Sequence, residues 1–181
     1  MKSVNATISG NIVKGNSASW YTWLYGSQIL ISASSNVQVY DNIVETASSG
    51  GHGITVLQQS RGTAAYGPYL AQGNYVHNNK ITYLYEFGKD GPPLSGVGTD
   101  VESRTFWATY GSTNRFDYNN YHVPDLTARH WAWRDKLLDW NGIKNEGQEL
   151  NGTIDADITR DTSPFRVPTC SDESQRHATA R

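Results

Sequence analysis

The sequence predicts an all-β protein whose short strands stack into a β-solenoid, and two observations support this. Residues 36–44 and 5–13 follow the same nine-residue pattern 31 positions apart, and residues 73–81 form a weaker third copy, 37 positions after the second. Repeats at such spacings are typical of solenoids, propellers and other arrays. The composition agrees, because Gly, Ser, Asn, Thr and Tyr are abundant while good helix formers are scarce.

Each copy is predicted to form a strand, a bend and a second strand. In the second copy, Val37 and Val39 alternate with polar residues, so one face of the first strand would point inward. Asparagine suits the bend, because its side chain bonds nearby backbone and it tolerates left-handed dihedral angles. Stacked copies would place three bend asparagines one above another, each amide able to bond its neighbour: Asn11, Asn42 and Asn79.

These repeats cover about residues 3–84 and resemble those of right-handed parallel β-helix proteins, the architecture of pectate-lyase-like enzymes. Residues 27–31 and 53–56 fit the resemblance as matching strands of successive coils. Ile31 and Val56 are 25 residues apart, a plausible length for one coil. The resemblance therefore implies an all-β chain folded as a right-handed parallel β-helix.

A second resemblance to bacterial β-helix proteins lies further along the chain. Residues 116–124 look like a last coil with an F-x-Y-N-x-Y strand. The Trp-rich residues 131–140 and the turn at 147–152 look like a terminal strand pair, a short helix and a closing turn. The acid of that turn is Glu149 here, and Gly152 stands where the resembling proteins usually have Ser.

This second region predicts how the chain is organised. We expect β-helix coils over residues 1–124, a mixed C-terminal cap over 125–164 and a flexible tail over 165–181. Residues 135–146 are the candidate short helix of the cap, although Asn141 and Gly142 weaken it. The aromatic residues of the cap would bury the end of the solenoid.

Charge and hydropathy bound the possible partners. The formal net charge is -2 and the pI is about 6.2, so no general affinity for nucleic acid or an anionic membrane is implied. No stretch is apolar over enough residues to cross a bilayer.

The first four residues lead directly into the first repeat, without a signal-peptide core. Since solenoid ends are normally covered, we expect additional N-terminal β-helix coils in a longer protein. The alternative is that a partner covers this end. The resemblance implies a secreted or cell-surface protein.

An aromatic segment at residues 16–26 interrupts the first two coils and is a candidate for sugar binding. Its four large aromatic residues are Trp20, Tyr21, Trp23 and Tyr25. They would offer a platform on which the C–H faces of sugar rings pack. The alternative is that they pack against the wall beneath their own loop.

The resemblance to lyases implies a catalytic cation and a catalytic base. Cleavage of a uronate polymer needs a cation that neutralises the carboxylate and a base that removes the C5 proton. Arg61 with His52 or His77 is the candidate catalytic set, and the alternative is a structural surface loop. His77 also aligns with Tyr40 in the repeat, so this pair is either a ligand surface or an ordinary ladder pair.

Calcium is a further possibility, because acidic loops of β-helix lyases often hold this ion. The densest group of charges on the expected binding side is Glu86, Lys89, Asp90, Asp100 and Glu102. Their spacing matches no defined calcium loop, and a solvated loop is the alternative.

Two functions are compatible with these patterns. The first is a carbohydrate-active protein that acts on or binds a polysaccharide as a lyase or glycosidase would. The second is a non-catalytic β-helix module that binds glycan or serves a structural role in an adhesin or tailspike. One scaffold hosts many functions, so the choice depends on the site.

Overall fold

A computed structural model describes residues 3–18, 23–65, 67–86, 93–101 and 103–159. Over these residues the protein is mostly β-sheet with few helices, in agreement with the predicted all-β class. The predicted tail at residues 165–181 lies outside the described residues. No helix within the described ranges is long and apolar enough to span a membrane.

The chain passes through three sheets in turn, and each passage, called a circuit below, adds one strand to every sheet. The first circuit contains β1 (Thr7–Ser9), β2 (Ile12–Lys14) and β3 (Ser27–Ser32). The second contains β4 (Gln38–Tyr40), β5 (Ile43–Glu45) and β6 (His52–Gln58). A hairpin of β7 (Thr63–Ala64) and β8 (Gly67–Pro68) precedes the third, which contains β9 (Tyr75–His77), β10 (Lys80–Thr82) and β11 (Ser95–Thr99).

The last part of the chain adds a fourth circuit and closes the fold. Helix α1 (Ser103–Thr109) and a 3-10 helix (Gly111–Thr113) precede it. The circuit contains β12 (Arg115–Asp117), β13 (Asn120–His122) and β14 (Trp131–Trp133). It is followed by β15 (Lys136–Leu138), α2 (Trp140–Asn145) and β16 (Thr153–Asp155).

The circuits lie in register. Sheet I has the order β1-β4-β9-β12, sheet II has β2-β5-β10-β13-β16, and sheet III has β3-β6-β11-β14-β15. Strands of successive circuits pair in parallel, and only β14 and β15 in these three sheets pair antiparallel within the described residues. The predicted match of Ile31 with Val56 is confirmed by the register of β3 and β6.

One apolar cluster contains inward residues of all three sheets. In sheet I these are the central residues of successive strands, Ile8, Val39, Val76 and Phe116. Because neighbouring residues of a strand point to opposite faces, the residues on either side of each central residue point outward. A second, smaller cluster packs on the outer face of sheet III and contains Leu24, Leu57, Leu94 and Ala132.

The predicted asparagine stack is confirmed. The backbone N–H and the side-chain amide of Asn11 both donate to Asn42 Oδ1 at 3.0 Å. Asn42 donates in the same way to Asn79 Oδ1 at 3.1 and 2.9 Å, and Asn79 to Asn119 Oδ1 at 3.0 and 2.9 Å. Since Asn42, Asn79 and Asn119 are buried, the ladder satisfies backbone groups at the bends that water does not reach.

Glu149 terminates this ladder. Its Oε1 accepts hydrogen bonds from Asn119 Nδ2 at 2.7 Å and from the Tyr121 hydroxyl at 2.8 Å. Its Oε2 accepts the backbone N–H of Asn119 at 3.3 Å. Burial raises the pKa of Glu149 from 4.5 to about 7, although the hydrogen bonds from Asn119 and Tyr121 oppose this rise.

The turn around Glu149 occupies the position that a fifth strand of sheet I would take. The backbone N–H of Glu149 donates to the Phe116 carbonyl at 2.8 Å, and the Phe116 N–H donates to Gln148 Oε1 at 2.9 Å. Asn151 donates its backbone N–H and side-chain amide to the Asp117 carboxylate at 2.8 and 3.0 Å. These backbone and side-chain hydrogen bonds of the turn close the edge of sheet I in place of a strand.

The predicted helix at residues 135–146 is too long. Residues 136–138 instead form β15, which Arg134 and Asp135 connect to β14 through a tight turn with positive φ angles of 51° and 56°. Two consecutive positive φ angles characterise the hairpin turn that best matches strand twist. The helix begins only after Asp139, whose carboxylate accepts the Gly142 N–H at 2.7 Å as an N-cap.

Replacing Asn42 with Ala is expected to lower the free energy of unfolding by about 1–3 kcal/mol, because it leaves buried ladder groups without partners. Chemical denaturation followed by circular dichroism measures this change. Asn11→Ala is the matched control, since Asn11 lies at the exposed start of the ladder and should cost less than half as much. If the two variants lost the same free energy of unfolding, burial of the ladder would not explain its stabilising effect.

The stability is also expected to depend on pH through Glu149. Because the folded state raises the pKa of this carboxyl from 4.5 to about 7, the folded protein binds the proton more tightly than the unfolded chain. The stabilising contribution of protonated Glu149 is therefore complete below pH 4.5 and is lost as the pH rises through about 7. The loss amounts to at most about 3 kcal/mol.

Denaturant titrations at several pH values between these limits test this dependence. Glu149→Gln should flatten the profile, whatever it does to the absolute stability. Glu146→Gln is the control, since Glu146 is partly exposed and its carboxylate lies 3.4 Å from Arg134 Nε. If the free energy of unfolding of Glu149→Gln varied with pH as steeply as that of the wild type, Glu149 would be excluded as the origin of the pH dependence.

Candidate functional site

The outward face of sheet I carries a continuous stack of aromatic and cationic side chains. Its members, named here the aromatic column, are Tyr40, His77, Tyr75 and Arg115. The rings of Tyr40 and His77 stack with centroids 5.1 Å apart, and those of His77 and Tyr75 with centroids 4.1 Å apart. The guanidinium carbon of Arg115 lies 5.1 Å from the centroid of Tyr75. The column thus spans three neighbouring strands, β4, β9 and β12.

The strand register produces this arrangement. Tyr40 and His77 are paired residues of β4 and β9, and Tyr75 and Arg115 are paired residues of β9 and β12. Paired residues on one face of a sheet lie about 5 Å apart, close enough for rings to stack. The predicted Tyr40–His77 pair is therefore formed, and the structure extends it by Tyr75 and Arg115.

Arg115 is fixed from the side of the closing turn. Its Nη2 donates to Asp117 Oδ2 at 2.6 Å, and Asp117 is almost fully buried. Burial raises the pKa of Asp117, but hydrogen bonds from Asn151, Arg115 and Tyr118 outweigh that effect and hold the pKa below its usual value. The aspartate therefore stays ionised at neutral pH and keeps the guanidinium beside the column.

The electrostatics of the column determine its protonation. Burial lowers the pKa of His77, with Asp41 opposing this shift and the charge of Arg115 adding to it. The imidazole is thus neutral at neutral pH and is able to accept a proton. Burial raises the pKa of Tyr75, so its phenol is protonated and is able to donate one. The column therefore brings a base, an acid and a cation together.

A second group of polar side chains surrounds a cleft of about 300 Å³ between β3 and the loop after β6. The cleft is lined by Ser32, Ala33, Arg61 and Tyr69. The Nε and Nη2 of Arg61 both donate to Gln59 Oε1, at 3.1 and 2.6 Å. Ser32 Oγ donates to the same oxygen at 2.7 Å. In the part of the chain that the structure describes, Arg61 forms no ion pair.

Gln59 is held in turn by Tyr25 and Asp100. Its Nε2 donates to the Tyr25 hydroxyl at 2.5 Å and to Asp100 Oδ2 at 3.2 Å. The Tyr25 hydroxyl donates to the same carboxylate oxygen at 2.5 Å. Burial and the hydrogen bond to Asp100 raise the pKa of Tyr25, so this phenol is a donor rather than a base. Gln59 thereby connects Tyr25 to Arg61.

The geometry does not support the expected role of His52. His52 is 1% exposed at the beginning of β6, and its Nδ1 accepts the Leu94 N–H at 3.0 Å. Arg61 lies in the loop that follows the other end of this seven-residue strand, which is about 20 Å long. Its burial keeps His52 away from a polymer on the surface of this structure, and the catalytic role predicted for Arg61 with His52 remains a prediction.

The aromatic segment before β3 is described only in part. Trp20 and Tyr21 lie outside the described residues. Trp23 packs on sheet III, where Gly98 makes room for it: a Cβ at that position would lie 2.6 Å from the Trp23 ring. Trp23 and Tyr25 both contact the outer apolar cluster of sheet III. This is the packing alternative, and the predicted sugar platform remains a prediction.

The structure does not assemble a calcium site from the residues it describes. Glu86 Oε2 lies 3.4 Å from His130 Nε2, and Asp100 accepts hydrogen bonds from Tyr25 and Gln59. Lys89, Asp90 and Glu102 lie outside the described ranges. No group of three or more metal-ligating side chains occurs among the described residues. Calcium binding remains a prediction.

Sequence reasoning missed Arg115, Asp117 and Gln59. A signal for the first two existed, because Asn74 aligns with Asn114 when the repeat is extended by 40 residues, as their hydrogen bond shows. This alignment places Arg115 opposite Tyr75. Gln59 had no such signal, since its role depends on contacts with residues distant in the sequence.

Comparison with known proteins adds no relative. No model of a known protein family matches the chain, and neither a curated protein nor a solved structure is significantly similar to it.

Proposed function

We propose that this protein is a right-handed parallel β-helix that binds a polysaccharide along its aromatic column. The in-register passage of four circuits through the same three sheets supports this architecture. The right hand follows from the general preference of crossover connections between parallel strands. The proposal includes a location of the protein outside the cell, where such polymers occur.

The observation that carries the proposal is the direction of the column. Tyr40, Tyr75 and Arg115 lie on three successive strands, so the column runs across the strands along the direction of stacking. Neighbouring strands are about 4.8 Å apart, so the column is long enough to contact more than one sugar unit. A linear polymer that lies along sheet I would therefore meet hydroxyl, imidazole and guanidinium groups in sequence.

The ring faces in the column already contact each other, which defines how a sugar would bind. Ligand would meet ring edges, the two phenol hydroxyls and the outer side of Arg115, whose side chain is 55% exposed. These groups recognise sugar hydroxyls and carboxylates by hydrogen bonding. We therefore expect uronate-containing polymers to bind more tightly than neutral ones.

A second candidate function, cleavage of a uronate polymer by β-elimination, is favoured by the contact of Tyr75 with both His77 and Arg115. Arg115 would hold the uronate carboxylate, and neutral His77 would remove the C5 proton. The electron pair of that C–H bond forms the C4–C5 double bond as the C4–O bond breaks. The Tyr75 hydroxyl would donate a proton to the leaving oxygen. Arg61 would anchor a distant sugar in its cleft.

Binding is tested with purified protein and a panel of acidic and neutral polysaccharides in affinity electrophoresis. Tyr75→Ala is expected to weaken binding roughly tenfold, because it removes the centre of the column. Arg115→Gln should weaken binding of acidic polymers selectively and reduce its salt dependence. Arg134→Gln is the matched control, with a side chain 54% exposed and an ion pair with Glu146.

Two results would contradict the proposal. Equal losses of affinity in Arg115→Gln and Arg134→Gln would show that the aromatic column does not recognise the polymer. No binding to any polymer of the panel would favour a structural module instead.

Cleavage is tested on the same panel by following reducing ends together with the ultraviolet absorbance of unsaturated uronates. Elimination should yield both signals, and His77→Gln should abolish them. His122→Gln is the control, because His122 lies on sheet II with Asp155 2.7 Å from its Nδ1. Reducing ends without absorbance would indicate hydrolysis, and binding without product would leave a glycan-binding module.

A further inference from the structure

The residue before each ladder asparagine has a left-handed backbone conformation. The φ angles at this bend position in the four circuits are 68°, 55°, 53° and 59°, at Gly10, Asp41, Asn78 and Tyr118. Glycine adopts positive φ freely because it has no Cβ, and the short polar side chains of Asp and Asn make it tolerable by bonding nearby backbone. The first three circuits therefore carry residues that suit the bend, and the fourth carries one that does not.

Tyrosine is unfavourable at this bend position. A bulky side chain at positive φ strains the backbone, and such strained residues occur most often where a protein binds a ligand or does chemistry. Burial of the ring would offset the strain, yet Tyr118 is 47% exposed. Within the described residues its ring stacks on no other ring, and its hydroxyl takes part in no hydrogen bond. The exposed ring at a strained position indicates a role toward a ligand.

The contacts of Tyr118 connect it to the aromatic column. The buried Asp117 accepts the Tyr118 backbone N–H on Oδ1 at 3.0 Å and Arg115 Nη2 on Oδ2 at 2.6 Å. One carboxylate therefore positions both the exposed ring and the cation of the column. Burial is the main cause of the raised pKa of Tyr75, and the Tyr118 phenol adds to it, so the two phenols are close enough to interact.

Tyr118 provides a kind of surface that the column lacks. The rings of Tyr40, His77 and Tyr75 stack on one another, so a ligand meets mainly their edges. The half-exposed ring of Tyr118 instead has surface free for the apolar C–H face of a sugar. A tyrosine suits such a contact, because it combines a large apolar ring with a hydroxyl that stays in water.

We propose that Tyr118 is a sugar-stacking residue at the Arg115 end of the aromatic column. This inference rests on the proposed binding of a polysaccharide along the column, and it adds the contact that one sugar unit makes there. The C–H face of that unit packs on the Tyr118 ring, while Arg115 binds a carboxylate of the same or a neighbouring unit. Since stacking involves no charge, Tyr118 contributes equally to the binding of acidic and neutral polymers.

Replacing Tyr118 with Asn separates backbone strain from ligand binding, because Asn is the residue at this bend position in the third circuit. Relief of the strain should raise the melting temperature by about 2–4 °C, measured by circular dichroism. If the ring instead stabilised the closing turn, the melting temperature would fall, and that result would overturn the inference.

Affinity electrophoresis with the same panel of polysaccharides measures the contribution of Tyr118 to binding. Tyr118→Asn should weaken the binding of neutral and acidic polymers by the same factor, roughly fivefold to tenfold, and the loss should persist at high salt. Tyr118→Phe keeps the ring and should bind within about twofold of the wild type. Leu126→Asn is the matched control and should not change binding, since Leu126 is 49% exposed and lies outside the column, between β13 and β14.

The possible results separate this inference from the binding proposal on which it rests. If Tyr75→Ala loses affinity and Tyr118→Asn does not, the column binds the polymer and the role of Tyr118 is overturned. A loss confined to acidic polymers, or an equal loss in Tyr118→Phe, would overturn stacking as well, because it would implicate charge or the hydroxyl instead of the ring. A wild-type chain that binds no polymer of the panel would overturn both proposals.

Discussion

The asparagine ladder is the interaction on which this structure depends. At each bend between sheets I and II, the backbone turns where a regular strand pairing is interrupted, and buried N–H groups need partners there. Asn42 and Asn79 supply them by accepting two hydrogen bonds from one circuit and donating two to the next. Because this exchange requires one asparagine directly above another, the ladder also sets the register of the strands on both sides.

That register creates the candidate site. Once Asn42 lies above Asn79, Tyr40 must lie beside His77, and the outward residues of sheet I align into columns. No loop has to fold over the site to assemble it. The Arg61 cleft is built differently, since Gln59, Tyr25 and Asp100 come from three separate circuits and meet only in the folded chain. The column is thus a consequence of the repeat, whereas the cleft is a consequence of the loops.

The same distinction explains what was predictable from sequence. The repeat made the strands, the Asn11–Asn42–Asn79 stack and the Tyr40–His77 pair predictable, because each follows from a fixed offset along the chain. The Tyr25–Asp100 contact spans 75 residues between unrelated loops, and no local pattern encodes it. The Arg134–Asp135 turn was missed because its residues are not the Asn-Gly or Asp-Gly pairs that usually indicate such a hairpin.

Glu149 shows how the ladder and the site share one structural element. Every ladder asparagine donates in the same direction along the stack, so the last position requires a group that only accepts, and an ionised carboxylate is such a group. Burial opposes that ionisation, and the pKa of about 7 reflects the balance. Gly152 makes room for this carboxylate, because a Cβ at position 152 would lie 2.4 Å from Glu149 Oε2.

Two residues after Glu149, Asn151 holds the Asp117 that fixes Arg115. The turn that ends the ladder therefore also positions the cation of the aromatic column. A substitution that loosens this turn should then affect the column at Arg115 first, before it reaches Tyr40 two strands away.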